Sequence, residues 1–198
     1  MEKKIARNPL KRKLRAGSVY RREDFKMDSS AVDRHLKELV EEGTLVKLAG
    51  GLYHHPQMSS FGPSPAETDV LLKAYLKDDR FLVTSQNAYN SLGVGTTQLY
   101  NETLVYNHKR HGVAKLGGRT FRFVRKAHFP RVPTVEFLLV DLVNNINAVA
   151  EDREMLLRRV RERAESLDKS AMRRAVRKFG GVRAKKVFAE WSTGADVL

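Results

Sequence analysis

The chain has 198 residues, which fits one large domain or two small ones at roughly 100–200 residues per domain. No segment approaches the roughly 18 uncharged apolar residues of a membrane-spanning helix, and the apolar fraction of 41% predicts a folded globular protein. The absence of cysteine excludes disulfides, thiolate zinc sites and cysteine nucleophiles. Because the basic amino-terminal segment has no apolar run after it, we expect no secretory signal and a cytoplasmic protein.

The net charge is +14, from 37 Lys and Arg against 23 Asp and Glu. Such an excess indicates a polyanionic partner, most simply nucleic acid. The excess is sharpest in residues 1–22, which hold one acid and nine bases: Lys3, Lys4, Arg7, Lys11, Arg12, Lys13, Arg15, Arg21 and Arg22.

Residues 1–60 carry the pattern of a winged helix-turn-helix domain. Pro9 after Asn8 and the later Gly17 predict a short helix ending near Ala16. A second helix is predicted from the Asp28-Ser29-Ser30 cluster to Gly43, with a capping box formed by Ser30 and Asp33. Its buried face would comprise Val32, Leu36, Leu39 and Val40.

Two β-prone segments, 44–49 and 52–55, flank Gly50-Gly51 and predict a hairpin. With a short helix placed between the two helices described above, the predicted order is helix, short helix, capped helix and hairpin. In the winged helix-turn-helix the third helix enters the major groove and the hairpin touches the flanking backbone.

The predicted fold class is α+β, with the winged domain at 1–60 and a mixed domain at 61–198. The Pro-rich stretch 56–65 is interpreted as a linker. A helix is expected around Val70 to Tyr75, strands at 81–83, 104–106, 113–116 and 120–125, and a brief helix at 87–92. From residue 135 onward the pattern predicts carboxy-terminal helices over 137–149, 155–164, 169–179 and 182–191.

Several segments resemble one known family. The segments SVYRREDF, AVDRHLKELVEEGTLVKLAGGLYHHP and GPSP resemble the winged half of the AbiE-type (AbiEi family) antitoxins of type IV toxin–antitoxin systems. The segments TSQNAYNSLGVGTTQ and LVYNHKRHGVAKLGGRTFRFVR resemble the opening of that family's antitoxin domain. The resemblance covers about residues 12–126. Gly50 stands where the family usually has an arginine, which leaves Lys47 as the one cation of the wing, and Thr84-Ser85-Gln86 replaces a usual Pro-Ser-Gly.

The resemblance implies an autoregulating repressor that binds double-stranded operator DNA, with a role in phage defence. It also implies that the second domain counters a nucleotidyltransferase toxin without a stable complex between the two proteins. No Walker-type loop, HExxH or G-x-S-x-G motif is present, so we expect no catalytic site, cofactor or metal.

The candidate DNA-binding residues divide by role. We expect Arg34 and Lys37 to reach base edges and the hydroxyls of Ser29 and Ser30 to hold a phosphate at the helix start. The bases expected on the phosphate backbone are Arg12, Lys13, Arg21, Arg22 and Lys47. The alternative is a solvated helix used for protein contact, which the acids Asp33, Glu38 and Glu41 favour.

In the strand 120–125, Phe121 and Phe123 alternate with arginines, so one face is apolar and the other basic. The candidate antitoxin surface on this sheet is Arg119, Arg122, Arg125 and Lys126. An alternative function is an RNA-binding module that uses this sheet and the Arg-rich carboxy-terminal helices. The acid-free segment from Arg173 to Lys186 is either a second nucleic-acid surface or a solubilising face.

Overall fold

The computed structural model describes residues 8–192 as a mixed α and β protein with small antiparallel sheets and carboxy-terminal helices. The chain forms two compact units. Unit 1 contains the residues up to Arg80 together with 113–121, and unit 2 contains 81–112 and the residues from Arg122 onward. The basic residues Lys3, Lys4 and Arg7 lie outside the described range.

Unit 1 opens with two short 3₁₀ helices, a helix and a three-stranded sheet. The 3₁₀ helices are Pro9–Lys13 and Arg22–Phe25, and between them lies strand β1 (Val19–Arg21). Helix α1 (Val32–Glu41) is followed by β2 (Val46–Ala49) and β3 (Leu52–His54). β3 lies between β1 and β2 and is antiparallel to both. The predicted hairpin is confirmed, whereas β1 was not predicted.

The core of this segment is formed by the apolar positions that helical spacing predicted. Leu36 and Leu39 of α1 are fully buried against Leu10, Phe25 and Leu45. Burying each of these side chains contributes roughly 1.5–3 kcal/mol. The amphipathic pattern of α1 is therefore confirmed, and its polar side faces solvent.

The helix predicted to end near Ala16 is shorter than expected. Its helical part is the 3₁₀ segment Pro9–Lys13, and Leu14 already has an extended backbone. The hydroxyl of Tyr20 accepts from the Arg15 N–H at 2.6 Å and donates to the Lys13 carbonyl at 2.9 Å. These tertiary bonds hold the chain out of a helical course, and local spacing does not reveal them.

The predicted capping box of Ser30 and Asp33 is wrong. No side chain caps α1, which begins at Val32. The Ser29 hydroxyl instead accepts from the Ala31 N–H at 2.9 Å, one step before the helix. The predicted end is confirmed, because Gly43 follows α1 with a left-handed φ of +74°.

The stretch interpreted as a linker is structured. Strands β4 (Met58–Ser59) and β5 (Gly62–Pro63) pair as a small hairpin. Helix α2 (Thr68–Leu76) follows within unit 1, and its buried residues are Leu71, Leu72 and Leu76. The compact unit therefore extends past the proline-rich stretch, where local composition indicated a boundary.

Unit 2 begins at β6 (Phe81–Thr84), followed by a 3₁₀ segment Gln86–Leu92 and β7 (Thr103–Asn107). Strands β8 (Gly112–Leu116) and β9 (Arg119–Arg125) follow in the chain, and their residues 113–121 belong to unit 1. The strand order of this four-stranded sheet is β6-β7-β9-β8. β6 and β7 are antiparallel, with Leu82 opposite Tyr106. These strands were all predicted.

The rest of unit 2 is helical: α3 (Val135–Asn144), α4 (Arg153–Glu165), α5 (Lys169–Phe179), α6 (Val182–Val187) and α7 (Ala189–Ser192). Thr134, Asp152 and Asp168 cap the first three through side-chain oxygens. Residues 135–143 run almost wholly apolar because α3 is buried in the core against the other helices. Within residues 8–192, no helix has the length and apolarity needed to cross a membrane.

Candidate nucleic-acid interface

The outer face of α1 presents two long cationic side chains. Arg34 and Lys37 have side-chain exposures of 71% and 76%. Each lies 3.7 Å from a carboxylate one turn later, Glu38 and Glu41 respectively. Exposed i,i+4 pairs of this kind contribute only about 0.3–0.5 kcal/mol, so both cations can exchange their partner for a phosphate or a base.

Arg22 is tightly paired. Its guanidinium donates two hydrogen bonds to Asp33 in the first turn of α1, at 2.5 and 2.6 Å. This bond and the charge of Asp33 raise the pKa of Arg22 and lower the pKa of Asp33. The structure therefore places the cation predicted for the DNA backbone in an ion pair.

Two further bases that were predicted to contact the DNA backbone are also ion-paired. Arg21 lies 2.6 Å from Glu23, and Lys13 lies 2.8 Å from Asp28. The Glu23 carboxylate also accepts from Lys77, and the pKa of Glu23 is lowered, mainly by that hydrogen bond. Both bases are therefore ion-paired within unit 1 in the free protein.

The two predicted phosphate-binding serines differ in their surroundings. The Ser29 hydroxyl lies 2.9 Å from the Nδ1 atom of His35, in addition to its bond to Ala31. Ser30 is exposed at the start of the helix. Of the pair, Ser30 is the more exposed residue.

The hairpin and the first 3₁₀ helix each supply an exposed cation. Lys47 lies on β2 opposite Tyr53, and Arg12 lies in the segment Pro9–Lys13. Neither has an ion-pair partner within residues 8–192. The hairpin turn is anchored by the Arg22 N–H, which donates to the Gly51 carbonyl at 2.9 Å, and Gly51 has a left-handed φ of +68°.

Sequence reasoning missed Lys26, an exposed base just after the buried Phe25. The count of local charge covered residues 1–22 and did not reach it. Its exposure adds a further cation to the surface of unit 1.

The four residues of the candidate antitoxin surface do not share one environment. Arg122 pairs with Glu102 at 2.7 Å, which raises the pKa of Arg122, and Arg125 is exposed. In unit 1, the guanidinium of Arg119 donates to the Ala66 carbonyl at 2.7 Å and to the Thr68 hydroxyl at 3.0 Å. In unit 2, Lys126 lies 2.5 Å from the buried Asp141.

Asp141 is the centre of a buried polar network that the sequence pattern did not reveal. The hydroxyls of Tyr89 and Tyr106 donate to the Asp141 carboxylate at 2.8 and 2.7 Å. Burial, and then the charge of Asp141, raise the pKa of both tyrosines above the ordinary range. An aspartate within an apolar helical run was the one available signal, because buried carboxylates are almost always paired.

The histidine pairs do not converge on a metal site. His54 is buried, and its two ring nitrogens lie 3.2 and 3.1 Å from the carbonyls of Ser18 and Ser64. The ring of His108 stacks on Phe129. Among residues 8–192, no group of three or more His, Cys, Asp or Glu side chains has the arrangement of a metal-ligand set.

Comparison with known proteins identifies no family for this chain. No protein-family model matches it, and no curated protein is significantly similar to it.

Proposed function

We propose that this chain is a DNA-binding repressor of its own operon and the antitoxin of a type IV toxin–antitoxin system. The winged helix-turn-helix proposed at residues 1–60 would bind operator DNA. The mixed domain proposed at 61–198 would counter a nucleotidyltransferase toxin without a stable complex. The antitoxin part is supported by the resemblance of the quoted segments to the AbiE-type family.

The observation that carries the DNA-binding proposal is the outer face of α1. Arg34 and Lys37 project from a helix whose other face is locked into the core, and a short hairpin with the exposed Lys47 follows it. A rigid helix beside a basic hairpin is suited to read the major groove while the hairpin holds backbone phosphate.

The ion pairs of three basic residues narrow the set of side chains proposed to contact DNA. Arg21, Arg22 and Lys13 are ion-paired. Among the described residues, the exposed cations without an ion pair include Arg12, Lys26 and Lys47, and Arg34 and Lys37 have only exposed pairs at 3.7 Å; we assign these five to the interface. Several phosphate contacts predict a steep dependence of affinity on salt.

The test is a binding titration against the protein's own upstream DNA and a scrambled duplex of equal length, each at two salt concentrations. We expect the upstream site to bind on the order of 10³-fold tighter or more, with affinity for both duplexes falling as salt rises. Equal binding to both duplexes, together with tighter binding to folded RNA, would contradict the repressor and favour an RNA-binding module.

The antitoxin part needs a separate experiment. Co-expression with a type IV nucleotidyltransferase toxin should restore cell growth, whereas size-exclusion chromatography of the two purified proteins should show no shared peak. Failure to restore growth would contradict the antitoxin role and leave the DNA-binding result unaffected.

A further inference from the structure

Unit 2 contains a cleft that the proposed DNA-binding role does not use. It is a shallow depression, open to solvent, with a volume of about 420 Å³. The side chains that matter in its wall are Lys126, His128, Asn144, Lys178, Phe179 and Arg183.

The cleft is cationic. No carboxylate side chain is among its lining residues in the described part of the chain. The charge of Lys126 is balanced by Asp141 beneath the wall, at 2.5 Å. Lys178 and Arg183 are exposed and have no such counter-ion within residues 8–192, so the opening carries two uncompensated positive charges.

One wall of the cleft is held rigidly. The side-chain amide of Asn144 donates to the Phe179 carbonyl and its oxygen accepts from the Gly181 N–H, both at 2.9 Å. At Gly180 a side-chain carbon would lie 2.4 Å from the Val176 carbonyl oxygen, so the close approach requires glycine. A wall fixed before binding lowers the entropy lost when a ligand is captured.

We propose that this cleft binds the phosphate monoester of a nucleotide-sized ligand. A phosphate monoester carries between one and two negative charges near neutral pH, which matches the charges of Lys178 and Arg183. The planar guanidinium of Arg183 can bind two phosphate oxygens at once. Phe179, a partly exposed residue whose ring packs edge-on against Phe137, supplies an apolar element for the organic part of the ligand.

The experiment is calorimetric titration of the full chain, with amide NMR shifts of Gly180 and Gly181 as a local reporter. The probes are 5′-AMP, inorganic phosphate, adenosine, and a short RNA with either a 5′-phosphate or a 5′-hydroxyl. The cleft variant is Lys178→Ala with Arg183→Ala. The matched control is Arg158→Ala with Arg161→Ala, which removes the same charge from exposed positions on α4.

We expect 5′-AMP to bind and adenosine not to bind, with a loss of about tenfold or more in the cleft variant and little change in the control. Binding of the 5′-phosphorylated RNA without 5′-AMP also supports the site and assigns its phosphate to a nucleic-acid end. Absence of binding by every phosphorylated probe overturns the proposal. Two other results would also overturn the proposal: equal affinity for the 5′-hydroxyl and 5′-phosphate RNAs, or an equal loss of affinity in the cleft and control variants. Either would show that the ligand is attracted only by the general positive charge of the protein.

Discussion

Arg22 and Asp33 connect the turn before α1 to the first turn of that helix through two hydrogen bonds of 2.5 and 2.6 Å. The pair withdraws one cation from any DNA contact and places one anion beside the proposed reading face. In the proposed complex, Asp33 opposes DNA binding twice, through its own charge and through its ion pair with Arg22.

Substitution Asp33→Asn should tighten binding to duplexes of any sequence, because it removes that anion and frees Arg22. Releasing one cation to a phosphate should steepen the dependence of log affinity on log salt by about 0.9. The measurement is fluorescence anisotropy on scrambled DNA over a salt series. Asp69→Asn is the control, since it makes the same charge change at an exposed carboxylate of unit 1 that has no ion-pair partner within residues 8–192; an identical effect in both variants would argue against this reasoning.

Arg34→Ala should cost about 1–3 kcal/mol of operator affinity and relax the sequence preference, if its guanidinium reads a base. The preference is measured by titrating operators with single base-pair changes against both proteins. Arg158→Ala, an exposed arginine on α4, serves as the control. An equal loss on every sequence would assign Arg34 to the backbone instead.

Lys47→Ala should weaken binding uniformly across sequences, because Lys47 is an exposed cation on the short hairpin. We expect the salt slope to fall by about one unit. Salt titrations on operator and scrambled DNA measure it. An unchanged slope would remove the hairpin from the interface.

Asp141→Ala should destabilise unit 2 strongly. The change leaves the Lys126 ammonium and the hydroxyls of Tyr89 and Tyr106 without their shared acceptor. Breaking a buried ion pair from one side costs about 3–5 kcal/mol, which urea unfolding measures. The control is Glu102→Ala, which breaks the Arg122–Glu102 ion pair, a pair more exposed than Lys126–Asp141. A similar loss of stability there would show that burial of the ion pair is unimportant.

The two buried tyrosines predict an alkaline limit to stability. Their pKa is raised in the folded state, mainly by burial, so the folded chain keeps phenolic protons that the unfolded chain releases above about pH 10. Their contribution is fully present below that pH, and the free energy of unfolding should fall as pH rises beyond it.

Urea midpoints compared at about pH 8 and about pH 11 test this sign. The variant Tyr89→Phe with Tyr106→Phe should show a smaller fall between the two pH values than the parent protein. A fall of the same size in both would mean that other groups cause the alkaline loss.

Much of the local structure follows from the sequence alone. The spacing of Val32, Leu36 and Leu39 determines the buried face of α1, and Gly43 ends the helix because glycine adopts the left-handed conformation without steric cost. The alternation around Phe121 and Phe123 likewise predicted β9. These features depend on neighbours within one turn or one strand, which a single sequence displays directly.

Only the tertiary structure decided which charges are available. Lys126 was predicted on an open basic face and instead meets Asp141, fifteen positions later, while Arg22 meets Asp33 and Arg119 meets Ala66. β1 was missed for the same reason, because its pairing partner β3 is distant in the chain. A charge count treats each side chain as independent of the others. Whether a cation is available to a partner depends on the carboxylate or carbonyl that folding brings within hydrogen-bond distance.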